Sequence, residues 1–295
     1  GAVVPNAIVK ITNEKTGVVA SATANEAGNY VAPYLIAGTY TVSCEATGFK
    51  KWTRPGIQVR IQDSVEVNVD LQIGATSEVV EVKESTPLLS TAEASLGQVI
   101  DERRVLELPQ FAGNAMDLVH LAPGTVNGTN LRLRKAGFNS APSTFSTDGG
   151  GNNQNEFSID GVSNTYSDGT APRVAFSPPQ TAISEFKVQT SAFDASLGHT
   201  MGSTVNVSTK SGTNELHGEA HEWFRHSALD SLSIFQNRSG QKKSIYQDNR
   251  YGASAGAPIT IPKLYNGKDK TFFFFNYEGT RIRQAVTRIS TVPPA

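Results

Sequence analysis

From residue 64 to residue 72 the chain alternates without interruption. Val65, Val67, Val69 and Leu71 fall on one side, and Glu66, Asn68, Asp70 and Gln72 on the other. A period of two predicts a strand with one buried and one wet face. Shorter runs of this kind occupy residues 7–12, 18–23, 29–32, 39–46 and 57–61. Turn sequences such as Asn25-Glu26-Ala27-Gly28, Ala37-Gly38 and Thr47-Gly48 separate them, so residues 1–74 predict a small antiparallel sandwich.

Beyond residue 74 the pattern changes. Residues 77–84 (SEVVEVKE) form an extended, half-apolar run, and residues 97–100 read as a strand. Residues 101–108 carry acids at the front and stop before Pro109, which predicts a short helix. A second helical stripe of Ala115, Leu118, Val119 and Leu121 ends at Pro123-Gly124. Tracts 127–154 and 163–180 are rich in Gly, Asn, Ser and Thr without any period, and are predicted to be long loops. Strand patterns return at residues 155–161, 183–189 and 203–209.

The last part, residues 215–295, offers strands at 216–228, 246–259 and 270–283. In the second, Tyr251, Ala253, Ala255, Ala257 and Ile259 share one face, and Arg250, Gly252, Ser254 and Gly256 the other. A lipid face backed by a small, polar lumen face gives this pattern. Phe272-Phe273-Phe274-Phe275 followed by Tyr277 is a poor surface for a soluble edge strand, which should carry charges. An aromatic girdle in a barrel wall accommodates it. The soluble alternative is a strand buried on both faces.

Composition narrows the function classes. Lys and Arg number 26 against 27 Asp and Glu, so the chain lacks the basic footprint of a nucleic-acid binder. Its one cysteine, Cys44, excludes an internal disulfide framework and a thiolate metal cluster. Cys44 shares the apolar face of its strand with Tyr40, Val42 and Ala46, and reads as a small buried hydrophobe. No apolar run reaches the ~20 residues of a membrane helix, which leaves a barrel open.

Candidate chemistry is sparse. His217, Glu219 and His221 point one way on a strand, but His221-Glu222-Trp223-Phe224-Arg225 lacks the second histidine of a zinc-protease helix. Polar residues facing a wet lumen account for them better. Asp160, Asn164 and Asp168 suggest calcium, yet Val162 and Thr165 stand where a calcium loop needs a ligand and a glycine. Trp52, between Lys51 and Arg54, is either a sugar-stacking platform or a half-buried edge residue. No nucleophile elbow or phosphate-binding loop is present, so neither an enzyme nor a cofactor is expected.

The succession Gly28-Asn29-Tyr30, Leu35, Ala37-Gly38-Thr39-Tyr40-Thr41-Val42 and Ala46-Thr47-Gly48-Phe49 resembles the carboxypeptidase regulatory-like domain. Four later pieces resemble, in order, the plug of TonB-dependent receptors. They are Leu108-Pro109 with Leu121-Ala122-Pro123-Gly124, Phe157-Ser158-Ile159-Asp160-Gly161, Ile183-Ser184-Glu185-Phe186-Lys187-Val188, and Val205-Asn206-Val207-Ser208-Thr209-Lys210-Ser211-Gly212-Thr213-Asn214. Together the two resemblances are nearest to the Oar-like branch of those receptors.

The resemblance implies a mainly β chain in three parts. Residues 1–74 would be a transthyretin/Ig-like β-sandwich of the carbohydrate-binding-like kind, and residues 75–214 a small α+β plug domain. Residues 215–295 would be the first strands of an incomplete transmembrane β-barrel that continues past Ala295. The protein would sit in the bacterial outer membrane, against its lipid, with the sandwich in the periplasm. Its partners would be a TonB-like energy-coupling protein and a polar solute: an oligosaccharide, a peptide or a metal chelate. Glu78, Val79, Val80, Glu81 and Val82 would meet the coupling protein by strand addition, unless they form the plug's first strand. Tyr166 and Phe176, in the second glycine- and serine-rich tract, are the candidate solute contacts. The competing expectation is a secreted or surface-anchored binding protein of tandem β domains without a transport role.

Overall fold

The computed structural model describes residues 2–74, 79–81, 96–108, 115–127, 137–138, 145–151, 154–167, 172–191, 200–240, 243 and 245–285. The first sheet contains β1 (Ile8–Asn13), β2 (Val19–Thr23), β3 (Gly38–Glu45), β4 (Lys51–Val59) and β5 (Val79–Glu81), in the order β2-β1-β3-β4-β5. Alternation puts Val9, Ile11, Tyr40, Val42, Cys44, Trp52 and Ile57 together in one buried cluster. Burial pushes the Cys44 thiol up and keeps it protonated. Trp52 is only 3% exposed and belongs to this cluster, so it is neither a sugar platform nor an edge residue.

Two expected strands take a different form. Residues 29–32 and 64–72 run extended across the cluster without joining a ladder. Val65, Val67, Val69 and Leu71 still pack inward, while Glu66, Asn68 and Asp70 are exposed. Side-chain alternation dictates which face is buried, not which backbone lies alongside. The two segments are tied by Tyr30, whose hydroxyl donates to the Val67 carbonyl at 2.8 Å. Burial pushes that phenol up to about 12. The strand expected at 57–61 is the end of β4, which stops at Val59.

The middle of the chain holds β6 (Leu96–Asp101), α1 (Glu102–Glu107) and a 3-10 helix (Ala115–Leu121). These are followed by β7 (Thr125–Asn127), β8 (Gly137–Phe138), β9 (Phe145–Thr147), β10 (Glu156–Ile159), β11 (Val162–Ser163) and β12 (Thr165–Ser167). The last members are β13 (Pro172–Val174), β14 (Phe176–Ser177), β15 (Ile183–Ser191) and β16 (Thr204–Thr209). Five of these strands form a sheet in the order β11-β10-β16-β15-β6. Phe157, Phe186, Val188, Val205 and Val207 pack from it against Val105 of α1 and Met116, Leu118 and Val119 of the 3-10 helix. Asp101 starts α1 as its sequence position suggests, its Oδ1 accepting the Arg104 N–H at 2.9 Å.

Leu121 departs from the expected stripe. It is exposed where the 3-10 helix ends, and Ala122 turns inward instead. The tracts expected as long loops contain short ladders, β7 with β9, β8 with β14 and β12 with β13. Buried asparagines hold them. Asn155 Nδ2 donates to the Phe145 carbonyl at 2.6 Å while its Oδ1 accepts the Ser203 N–H at 3.1 Å. Pairs this short leave no periodic trace in sequence.

The last sheet contains β17 (His217–His226), β18 (Tyr246–Pro258) and β21 (Phe272–Gln284), antiparallel and in that order. Between β17 and β18 lies α2 (Ile234–Arg238), and between β18 and β21 a hairpin of β19 (Thr260–Ile261) and β20 (Tyr265–Asn266). Phe224, Tyr251, Phe273, Phe275 and Tyr277 are exposed on one side, Phe275 by 59%. Trp223, Asp248, Arg250, Ser254, Asn276 and Glu278 are turned to the other. The three described strands form an open sheet that does not close on itself. No described helix is long and apolar enough to cross a membrane.

Across the β17–β18 register, His221 faces Gly252. A Cβ at Gly252 would stand 2.4 Å from the Tyr277 carbonyl and 2.7 Å from the His221 ring. Gly252→Ala should therefore destabilise this sheet by about 1–3 kcal/mol, the usual cost of overpacking. A lower temperature for loss of the compact form of the full-length protein in a heat-modifiability gel would register it.

Candidate functional site

The sandwich, the central sheet and the last sheet meet around the crossing from β16 to β17. β16 leaves the central sheet at Thr209 and the chain reaches β17 through residues 210–216. Lys210, nearly buried, places its Nζ 2.7 Å from Glu102 of α1 and 3.6 Å from Glu219 of β17, so one ammonium bridges both sheets. Gly212 passes so close to the wall that a Cβ would lie 2.3 Å from the Phe273 carbonyl and 3.0 Å from that of Ala257. Only glycine fits there. Further on, Asn276 Nδ2 donates to Thr181 Oγ1 at 2.8 Å, a second tie between wall and central sheet.

The inward face of the wall is polar. His221 Nε2 stands 3.9 Å from Glu278, and Arg250 stands 3.4 Å from Asp248. Glu219, His221, Asp248 and Glu278 each keep a buried polar atom without a hydrogen-bond partner. Such atoms call for solvent or further polar neighbours on that side. Asp160 and Asn164 are engaged elsewhere. Asp160 accepts the N–H and hydroxyl of Thr209 at 2.9 and 2.7 Å, and Asn164 brackets the backbone of Phe176 at 2.6 and 3.0 Å. Asp168 lies outside the described residues.

The central sheet also has a polar face, and that face is buried. Lys187 is 4% exposed, with Gln189, Thr204 and Asn206 beside it. The turn after β4 covers part of it. Lys187 Nζ donates to Asp63 Oδ1 at 2.9 Å and to the Gln62 carbonyl at 3.2 Å. Asn206 Nδ2 donates to Gln62 Oε1 and Glu185 accepts the Ile61 N–H, both at 2.5 Å. Gln62 itself sits at φ 54°, a left-handed conformation that costs a non-glycine residue about 1–2 kcal/mol and is held by these contacts. Burial raises the Glu185 carboxyl above the usual carboxylate range, with Asp63 adding to the effect. None of this was visible from the loop sequence Arg60-Ile61-Gln62-Asp63. The one available signal was charged and amide residues on the second face of otherwise apolar strands.

Sequence comparison agrees with this layout. Residues 1–72 match the family described as carboxypeptidase regulatory-like domain, and residues 208–295 match the outer membrane beta barrel domain. The TonB-dependent transporter Oar of Myxococcus xanthus is 26% identical over 273 residues, which cover 88% of this chain and 24% of that protein. Along 88% of its length the chain is thus similar to part of an Oar-type TonB-dependent transporter, with accessory-domain sequence ahead of barrel sequence. It spans about a quarter of the length of that curated relative.

Among solved structures, the siderophore receptor PirA from Acinetobacter baumannii overlaps with a TM-score of 0.40 at 20% identity, over 64% of this chain and 24% of that one. The ferric enterobactin receptor PfeA of Pseudomonas aeruginosa, in complex with enterobactin, overlaps with 0.38 at 15% identity, over 58% and 23%.

In the layout that the resemblance implies, the central sheet is the plug, and β17, β18 and β21, within the residues that match the outer membrane beta barrel domain, belong to the wall. The candidate coupling segment lies in neither. Val79, Val80 and Glu81 form β5, parallel to β4 at the edge of the sandwich sheet, with Trp52 opposite Val80. They are therefore not the plug's first strand; β6 is the plug's edge strand. A parallel three-residue pairing to a strand some thirty residues earlier has no local signature. Glu78 and Val82 lie outside the described residues, as does the side chain of Tyr166. Phe176 is half-buried in β14, opposite Phe138.

Two outcomes test the seam between sandwich and plug. Asp63→Ala removes the carboxylate from a buried ammonium, which typically costs about 3 kcal/mol. Hydrogen exchange at the Ile61 amide should then speed up roughly 100-fold. Because burial raises Glu185, the seam favours its protonated form. Its contribution is most favourable below the ordinary carboxylate value and is lost as pH rises through the raised one. After correction for intrinsic exchange, Ile61 should be better protected in mild acid than at neutral pH, and Glu185→Gln should flatten that dependence.

Proposed function

We propose that this chain supplies the N-terminal accessory domain, the plug and the first wall strands of a receptor that imports a bulky polar solute across the bacterial outer membrane. The observation that carries this reading is the two-faced sheet of β17, β18 and β21. Phe273, Phe275 and Tyr277 face outward, as a lipid-facing band does, and the plug reaches the inward side through Asn276 and Lys210. Charges and amides on that inward side suit a wet lumen.

Orientation follows from the same seam. The Asn214 N–H donates to the Lys15 carbonyl at 3.1 Å, so the sandwich meets the wall at the end where the plug enters it. In the proposed arrangement this is the periplasmic end. The connection carrying α2 then lies at the opposite, external end, where barrel loops are longer. Plug displacement would be driven by energy relayed through a TonB-like protein of the inner membrane. The ties at Lys210, Gly212 and Asn276 are the ones such a displacement must break or bend. An oligosaccharide, a peptide and a metal chelate all remain compatible as solutes.

Residues 77–83 are the handle in this scheme, an extended segment suited to backbone pairing with the coupling protein's sheet. Deleting residues 77–83 from the full-length receptor should abolish its capture by the periplasmic domain of the coupling protein. Undiminished capture rejects the coupling role.

A further inference from the structure

The sandwich does more than precede the coupling strand in the chain. We propose that the outer edge of β4 is its resting dock, so that Val79–Glu81 must leave the sandwich before the coupling protein can use it. This rests on the coupling role of residues 77–83 given above, and adds an intramolecular competitor for the same backbone.

The occupant of that edge is β5 itself. β5 ends the sheet order β2-β1-β3-β4-β5, with Lys51 opposite Val79, Trp52 opposite Val80 and Thr53 opposite Glu81. The edge itself is firmly built. Trp52 is buried in the sandwich cluster, and Lys51 is held by Glu45 at 2.9 Å. At its other end β4 leads through Arg60 into the turn that grips Glu185, Lys187 and Asn206. The dock is therefore fixed to the plug rather than free on a tether.

Holding the strand there changes where a pull is felt. Tension applied to β5 while it lies on β4 passes into the sandwich. Tension applied after release passes along residues 82–95 to β6, the edge strand of the plug sheet. Only the second path loads the plug from one side of its sheet. A three-residue pairing suits a releasable hold, because each backbone hydrogen bond contributes little net stability. The partner's apparent affinity is then lowered by the fraction of receptors whose strand is free.

The test is a reversible lock in the full-length receptor. Thr53 and Glu81 are register partners on adjacent strands, so Thr53→Cys with Glu81→Cys places two thiols within disulfide range. The native Cys44 is buried and does not compete. The disulfide should form under mild oxidation, and the oxidised receptor should be captured by the coupling protein's periplasmic domain at least about tenfold less well than the reduced one. Failure of the disulfide to form in a folded receptor overturns the dock. So does equal capture of the oxidised and reduced forms. Undiminished capture of the receptor lacking residues 77–83 removes the coupling role itself, and the dock's meaning with it.

Discussion

An ammonium removed from water on the second face of the plug sheet governs how the domains fit together. Lys187 on β15 is almost wholly covered, and isolated burial of such a charge is prohibitive. Its counter-charge comes from Asp63, more than a hundred residues earlier and in another domain. The sandwich thus supplies part of what covers this sheet. Its apolar face closes over Phe157, Phe186, Val188 and Val207, but its polar face requires the turn of the sandwich. The result is a seam of amides, a carboxylate and an ion pair rather than a greasy interface. Such a seam exchanges readily for water when it opens, unlike a large apolar contact.

The plug's other contacts have the same polar character. Lys210 joins Glu102 to Glu219, and Asn276 meets Thr181. The two described buried apolar clusters lie within the sandwich and within the central sheet, while the named contacts between sheets are hydrogen bonds and ion pairs. In the proposed receptor, a plug that moves inside a wall without unfolding would use this division. Its core carries the cohesive energy, and its boundaries carry specific contacts that solvent can replace. Gly212 adds a steric counterpart at the crossing, where the chain lies directly on the carbonyls of Phe273 and Ala257.

Most of the cores were legible in the sequence, and the seams were not. Alternation located β1, β3, β15, β16, β17, β18 and β21 to within a residue or two, because each presents two chemically different faces. The same rule predicted that Val65, Val67, Val69 and Leu71 point inward, yet gave no warning that this segment stays outside the ladder. Periodicity reports burial and is silent on backbone partners. The two-residue pairs β8 with β14 and β10 with β11 are too short for any period to register. In sequence, the charged neighbours Lys51 and Arg54 make Trp52 read as a surface residue. The strand has opposite faces, and Lys51 lies on the other one.

The proposed coupling strand shows most clearly what local pattern omits. Residues 79–81 carry the same extended, half-apolar sequence whether they join the plug, pair with a partner or close the sandwich. Strand edges are generic acceptors, so sequence specifies the readiness to pair and topology selects the mate. Here β4 is the nearest firmly built edge, and it belongs to the domain already anchored on the plug by Lys187 and Asp63. The buried charge thus fixes the sandwich, the sandwich presents the edge, and the edge takes the strand. In the proposed receptor, an accessory domain placed this way shares in controlling the handle.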